Sequence, residues 1–269
     1  PRVRRAPGPR APRMSPPPAS LLATAVAVPL LVQAVSSPAM AQDFSAAQKD
    51  ALGVIIRDYL LKNPEVIEEA IQALEKKKAE ESASAQKAII SEKSGVLFNP
   101  PRQVVLGNPK GDVTVVEFFD YNCGYCKRAL SDMMNIINED KKVRFVLKEF
   151  PVLGQGSVEA AQVAVAVNRV APDKYLDFHT KLLLGRGEAN KARALEAAAE
   201  AGIDRKKVET ELSNPEVASA LEEVYALANG LGLTGTPSYV VGQTVVPGAI
   251  GHDRLKKQIA EARCGQTTC

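Results

Sequence analysis

The sequence predicts an α/β domain preceded by a helical segment, and three observations point there. Residues 113–119 (VTVVEFF) form a nearly continuous apolar run with the composition of a buried strand. Past Asp120-Tyr121-Asn122 a helical pattern begins and reaches Asp140, and a second strand-like run, Val143 to Glu149, closes at Pro151. Helical periodicity then dominates from Ser157 to Gly232. This alternation of strands and helices is the signature of the α/β class. The chain has 269 residues, 45% hydrophobic and 24% charged, which suits one medium domain with additions or two small ones. With no Trp and 5% aromatic residues, aliphatic side chains must dominate its core.

Residues 1–41 are set aside before any folding argument. Leu21 to Val35 is a short apolar run, and Ala39-Met40-Ala41 is a small-x-small pattern, together reading as a secretory signal peptide cut before Gln42. A membrane anchor needs ~20 spanning residues, and this run is shorter and interrupted by Pro29. The segment holds Arg2, Arg4, Arg5, Arg10 and Arg13 and no acid. Without those five, the 34 basic residues become 29 against 31 acidic ones, so the net charge moves from +3 to −2. No basic patch remains that would suggest a nucleic-acid partner.

From Phe44 to Ser94 the pattern is helical and carries no cysteine. Leu52, Ile55, Ile56, Tyr59 and Leu60 recur at helical spacing until Asn63-Pro64, where Asn63 suits an N-cap and Pro64 the first helical position. Val66, Ile67, Ala70, Ile71 and Leu74 continue an apolar stripe, and Glu75 to Glu81 reads as a solvated face. Residues 42–98 are thus a helical extension whose stripe either packs on its own domain or joins copies of the chain. Ser94 to Pro101 is a turn-rich connection, Gln103 to Leu106 a first strand, and 107–112 a loop. After the strand at 143–149, helical runs at 158–170, 172–184, 188–201 and 204–229 precede a hairpin. Its strands are Ser238–Val241 and Thr244–Val246, turning at Gly242-Gln243, and His252 to Arg263 is a closing helix.

The chemistry sits at the first strand-to-helix junction, Cys123-Gly124-Tyr125-Cys126. A Cys-x-x-Cys placed there is a redox signature. The first sulfur meets unpaired helix N–H groups and the positive end of the helix dipole, which favour a thiolate. The second lies one turn in, close enough to resolve a mixed disulfide, so Cys123 is the expected nucleophile and Cys126 the resolving thiol. A structural 123–126 bridge and a four-cysteine zinc site with Cys264 and Cys269 are the alternatives. Glu117, flanked by Val116 and Phe118, reads as a buried acid with a raised pKa, able to relay the proton of Cys126; the alternative is a strand-edge glutamate in water. His179 and His252 look like ordinary helix residues without catalytic or metal partners.

With these residues in view, the chain resembles the secreted, DsbA-like branch of thioredoxin-fold oxidoreductases. It is closest in pattern to the suppressor-of-copper-sensitivity C type disulfide isomerases. The resemblance runs over roughly residues 100–263 and rests on the dithiol, on Glu117 six residues before Cys123, on Lys148-Glu149-Phe150-Pro151, and on Thr234-Gly235-Thr236-Pro237-Ser238-Tyr239. It implies a thioredoxin fold over 99–269 with an inserted helical subdomain at about 155–232, preceded by the helical extension. It also implies a cis-proline at Pro237 facing the dithiol, with Tyr125, Thr236 and Pro237 receiving substrate. Gly124-Tyr125 offers no imidazole near Cys123, unlike the Pro-His of strongly oxidising DsbA, and matches the secreted isomerases instead.

The implied partners are cysteine-containing proteins and a membrane-bound dithiol donor in the periplasm or outside the cell. No cofactor or metal is called for, and the oligomer is expected to be a trimer rather than a dimer. A monomeric dithiol oxidase and a copper-binding or chaperone module are the alternatives. Cys264 and Cys269, with four residues between them in an oxidising compartment, are expected to bridge.

Overall fold

In the computed structural model, which describes residues 44–265, the apolar run at 113–119 is β2 (Val113–Phe119), the central strand of a five-stranded sheet. Its parallel neighbour is β3 (Val143–Glu149), reached through helix α4 (Gly124–Glu139), the crossover that parallel pairing requires. Strand β1 (Val104–Gly107) pairs antiparallel with β3, and β4 (Ser238–Val241) pairs antiparallel with β2 and with β5 (Thr244–Pro247). The order is β1-β3-β2-β4-β5. Between β3 and β4 lie α5 (Gln155–Val170), a short 3₁₀ turn, α6 (Tyr175–Leu183), α7 (Lys191–Glu200), α8 (Arg205–Glu211) and α9 (Pro215–Gly230), and α10 (His252–Cys264) closes the chain. This is the α/β thioredoxin fold with its helical insertion, as the sequence predicts. The segment read as a signal peptide and Cys269 lie outside the described residues.

Both faces of the sheet are covered, so its central strands are apolar on both sides. On one face Val113, Val115, Phe119, Phe145 and Leu147 pack with Cys126, Leu130 and Met133 of α4, with α5–α8 and with α10. On the other, Val116, Phe118, Val146, Phe150 and Val240 pack with Val224, Leu227 and Ala228 of α9. Ile90 and Leu97 complete that second core, both with 0% exposure.

Those two residues belong to α2 (Glu65–Glu92) and α3 (Ser94–Phe98). The turn-rich connection read at 94–101 therefore contains a short helix, drawn into the core by Leu97. It is held from β3: Lys148 Nζ donates to the Val96 carbonyl at 2.9 Å, and Arg144 donates to the Phe98 carbonyl and to Asn99 Oδ1. At the start of α2 it is Pro64, one position later than expected, that occupies the cap. The described chain divides at Lys62–Asn63 into two compact units. The first contributes α1 (Ala46–Lys62), which has no buried residue; Leu52, Ile55, Ile56 and Tyr59 are all exposed. In the second, the early turns of α2 expose Ile67, Ile71 and Leu74, whereas its end is core.

Candidate active site

Cys123 is the N-cap of α4, with extended backbone (φ −81°, ψ 113°) and an amide donating to the Asp120 carbonyl at 3.0 Å. Its sulfur lies 3.1 Å from the carbonyl of Thr236, and the Thr236–Pro237 peptide is cis. The dithiol and the proline loop thus face one another, as the resemblance implies. Both cysteines are free thiols. Cys126 is fully enclosed in the first turn of α4, whereas Cys123 keeps 6% of its surface open. Burial first, and the nearby Glu117 carboxyl second, push the Cys126 thiol far above its ordinary range.

Glu117 is buried on β2, opposite Leu147 on one side and Tyr239 on the other. No hydrogen bond reaches its carboxyl among the described residues, so burial, with Asp132 adding like charge, raises its pKa to about 8. Such a group can take and give a proton near neutral pH. Tyr125 projects outward between the cysteines with 60% exposure, and the Arg128 guanidinium lies 4.4 Å from its ring centroid. His252 lies away from the dithiol, at the start of α10 between Glu139 and Asp253. Cys264 ends that helix, and its expected partner lies outside the described residues.

Sequence reasoning missed what holds the loop before Cys123. The buried Asp120 carboxyl accepts from the amides of Asn122, Val152 and Leu153 and from Ser157 Oγ, all within 3.0 Å. Asn122 in turn donates to Ser157 Oγ and the Ala189 carbonyl and accepts from the Ala189 amide. The insertion therefore grips both residues that flank Tyr121. Tyr121 itself enters a buried quartet: its hydroxyl lies 3.3 Å from Glu149 Oε1, 3.2 Å from Tyr175 Oη and 3.1 Å from His179 Nδ1. Tyr175 also donates to Glu149 at 2.7 Å. Burial holds Glu149 well above its ordinary carboxylate value and drops His179 to about 3, so both shifts favour the uncharged forms within the quartet. His179, read as an ordinary helix residue, is one of its anchors. The available signal was its i, i+4 spacing from Tyr175.

A free thiol at a helix N-cap, an enclosed partner thiol, a buried acid beside it and a facing cis-proline loop define a thiol-disulfide oxidoreductase. Residues 99–261 match the family described as thioredoxin, and residues 48–81 match the N-terminal domain of the copper resistance protein ScsC. The chain belongs to the thioredoxin family, in the DsbA-like group close to ScsC. A thioredoxin-like oxidoreductase from Silicibacter pomeroyi DSS-3 is 43% identical, with 63% of this chain and 97% of that one covered at a TM-score of 0.61. Proteus mirabilis ScsC in a transitional conformation is 29% identical over 82% of this chain and 98% of that one, again at a TM-score of 0.61. Disulfide bond formation protein D of Bacillus subtilis (strain 168) is 28% identical over 174 residues, 61% of this chain and 78% of the relative. The chain also spans 29% of the Na(+)/H(+) antiporter NhaA 1 of Salinispora arenicola, at 25% identity.

Proposed function

We propose that this oxidoreductase is a periplasmic or secreted disulfide isomerase and reductase that works as a homo-oligomer, more likely in threes than in twos, and is kept reduced by a membrane-bound dithiol donor. The Cys123 thiolate attacks a substrate disulfide and forms a mixed disulfide, and one substrate sulfur leaves as a thiolate. In isomerisation that thiolate attacks elsewhere in the substrate until Cys123 is released. In reduction, Glu117 takes the Cys126 proton, the Cys126 sulfur attacks Cys123, and the second substrate thiolate departs, leaving a Cys123–Cys126 bond and two electrons on the substrate. Thr236 and Pro237 receive the substrate chain beside Cys123. Proteins suit the site: among the described residues past α3, Tyr125, Val152, Leu153 and Leu184 are four of the five large apolar side chains that stay exposed. Hydrogen bonds tie two of them to the dithiol end, from the Val152 and Leu153 amides to Asp120, and Lys127 donates to the carbonyl of Gly185, the neighbour of Leu184.

The observation that carries isomerase over monomeric oxidase is the exposed apolar row on α1 and on the early turns of α2. Isomerisation needs a misfolded chain held while its sulfurs exchange, and several dithiols on one stalk raise their effective concentration around it. Measuring the Cys123–Cys126 reduction potential, with rescue of a scrambled multi-disulfide protein, tests this. A potential in the reducing range with rescue is expected; a strongly oxidising dithiol without rescue makes the oxidase the better reading. The ScsC-type N-terminal match also favours examining copper, since two thiolates suit Cu(I). Titration of the full chain against Cys123→Ser decides that reading, which fails if both take up copper equally.

A further inference from the structure

Along α2 the side chains change character. Ile67, Ile71 and Leu74 are large, but where the helix passes the proline loop the residues at 79, 82, 83 and 86 are Ala, Ser, Ala and Gln. That spacing is one helix face. This face forms one wall of an open groove with a volume of about 490 Å³, within the range of ligand sites. The opposite wall is Pro247 and Gly248 at the end of β5, and the floor is Thr236-Pro237-Ser238. Thr236, whose carbonyl meets the Cys123 sulfur, is itself one of the lining residues, so the groove and the dithiol share that residue. The wall is fixed rather than loosely apposed. Gln86 Nε2 donates to the Leu231 carbonyl at 3.0 Å, one residue before the loop begins, and Ile90 is locked in the core a turn later.

We propose that the Ala79–Gln86 face of α2 is a specificity element for the exchange reaction. It reads an extended polypeptide segment on one side of the substrate cysteine while that cysteine is bonded to Cys123. This rests on the reading above that the substrates are proteins. Short side chains on α2 leave room for the segment between helix and loop, and the floor continues directly from the residue that faces the nucleophile. The stalk helix therefore contributes to substrate choice as well as to any association.

Bulky replacements at exposed positions of the face, Ser82→Trp and Ala83→Trp, narrow the groove in the full-length chain, and Ala85→Trp off that face is the control. The readout is the ratio of kcat/KM for a disulfide-linked cysteine peptide of about ten residues to kcat/KM for a small aromatic disulfide. We expect that ratio to fall ~10-fold in both groove variants, the scale on which a filled pocket discriminates, and to hold in the control. An unchanged ratio overturns the proposal. So does a change of solution mass in Ala83→Trp, which would make the groove a contact between copies. Without altering α2, a Cys126→Ala chain trapped with a peptide carrying a photoreactive residue near its cysteine should crosslink into 79–86; crosslinks confined to other elements overturn it. A wild-type chain that reduces neither disulfide refutes the exchange reading instead.

Discussion

Cys123 and Cys126 differ in what surrounds them more than in sequence position. One caps a helix beside a carbonyl and touches solvent; the other is sealed beneath it, its thiol pushed up by burial and by Glu117. Cys123 should therefore alkylate first, and Cys126→Ala should accumulate mixed disulfides whereas Cys123→Ala should be inert. Equal alkylation of both thiols at pH 6 would contradict the assignment. Glu117 makes a second prediction with a definite sign. Its folded pKa is raised to about 8 from 4.5, so between those values the folded chain holds a proton that the unfolded chain lacks. Its contribution to stability then falls as pH rises through that window. Glu117→Gln should be near neutral at pH 4.5 and stabilising by on the order of 3 kcal/mol at pH 8, with slower release of mixed disulfides. Urea unfolding at both pH values checks it. His179 acts in the opposite direction: with its folded pKa lowered to about 3, stability is lost as pH falls from 6.5.

Among the elements, those with strong local periodicity were legible in the sequence: β2, β3, the hairpin of β4 and β5, α4 and α10. The dithiol and the proline loop were legible too, because each is contiguous. The buried quartet was not, since residues 121, 149, 175 and 179 meet only once β2, β3 and α6 are assembled. Lys148 and Glu149, at the end of the strand read at 143–149, are both buried, one on each face, because helices cover both sides of the sheet. Helix α3 hid behind Gly95 and the Asn99-Pro100-Pro101 stop. The grip of the insertion on the active-site loop yields a prediction at this scale. Asp120→Ala strands four donors, three of them main-chain amides, and should lower stability by roughly 3 kcal/mol or more in urea unfolding. A loss under about 1 kcal/mol would show that water replaces the carboxyl. At the end of α10, a Cys264–Cys269 bridge would close too short a loop to remove much chain entropy. Its loss in Cys269→Ser should leave exchange activity intact, and mass spectrometry finding both thiols free in the mature chain would exclude the bridge.

For the molecule as a whole, the extension serves two ends. Its last third is core, through Ile90 and Leu97, so a cut at Asn99 would uncover Val116, Phe118 and Val146. A cut before Glu75 removes the exposed apolar rows and spares that core. The chain from Gln42 should be an oligomer by light scattering and the chain from Glu75 a monomer, still a dithiol reductase but poor at rescuing scrambled substrate. A monomeric chain from Gln42 at micromolar concentration would remove the stalk from the proposal.

The register of β2 against β3 has a consequence for the active site as well. Glu117 stands opposite Leu147, and Phe118 opposite Lys148, so the buried acid and the buried lysine are diagonal neighbours on opposite sides of the sheet. Slipping the register by one residue would seat the ammonium against the carboxyl and tie it up as an ion pair, too acidic to accept a thiol's proton. The pleat thus keeps an acid and a base that stand one residue apart in register on opposite faces of a single sheet, where they form no ion pair. With no ion pair to hold it charged, Glu117 stays a proton carrier in reserve for sulfur.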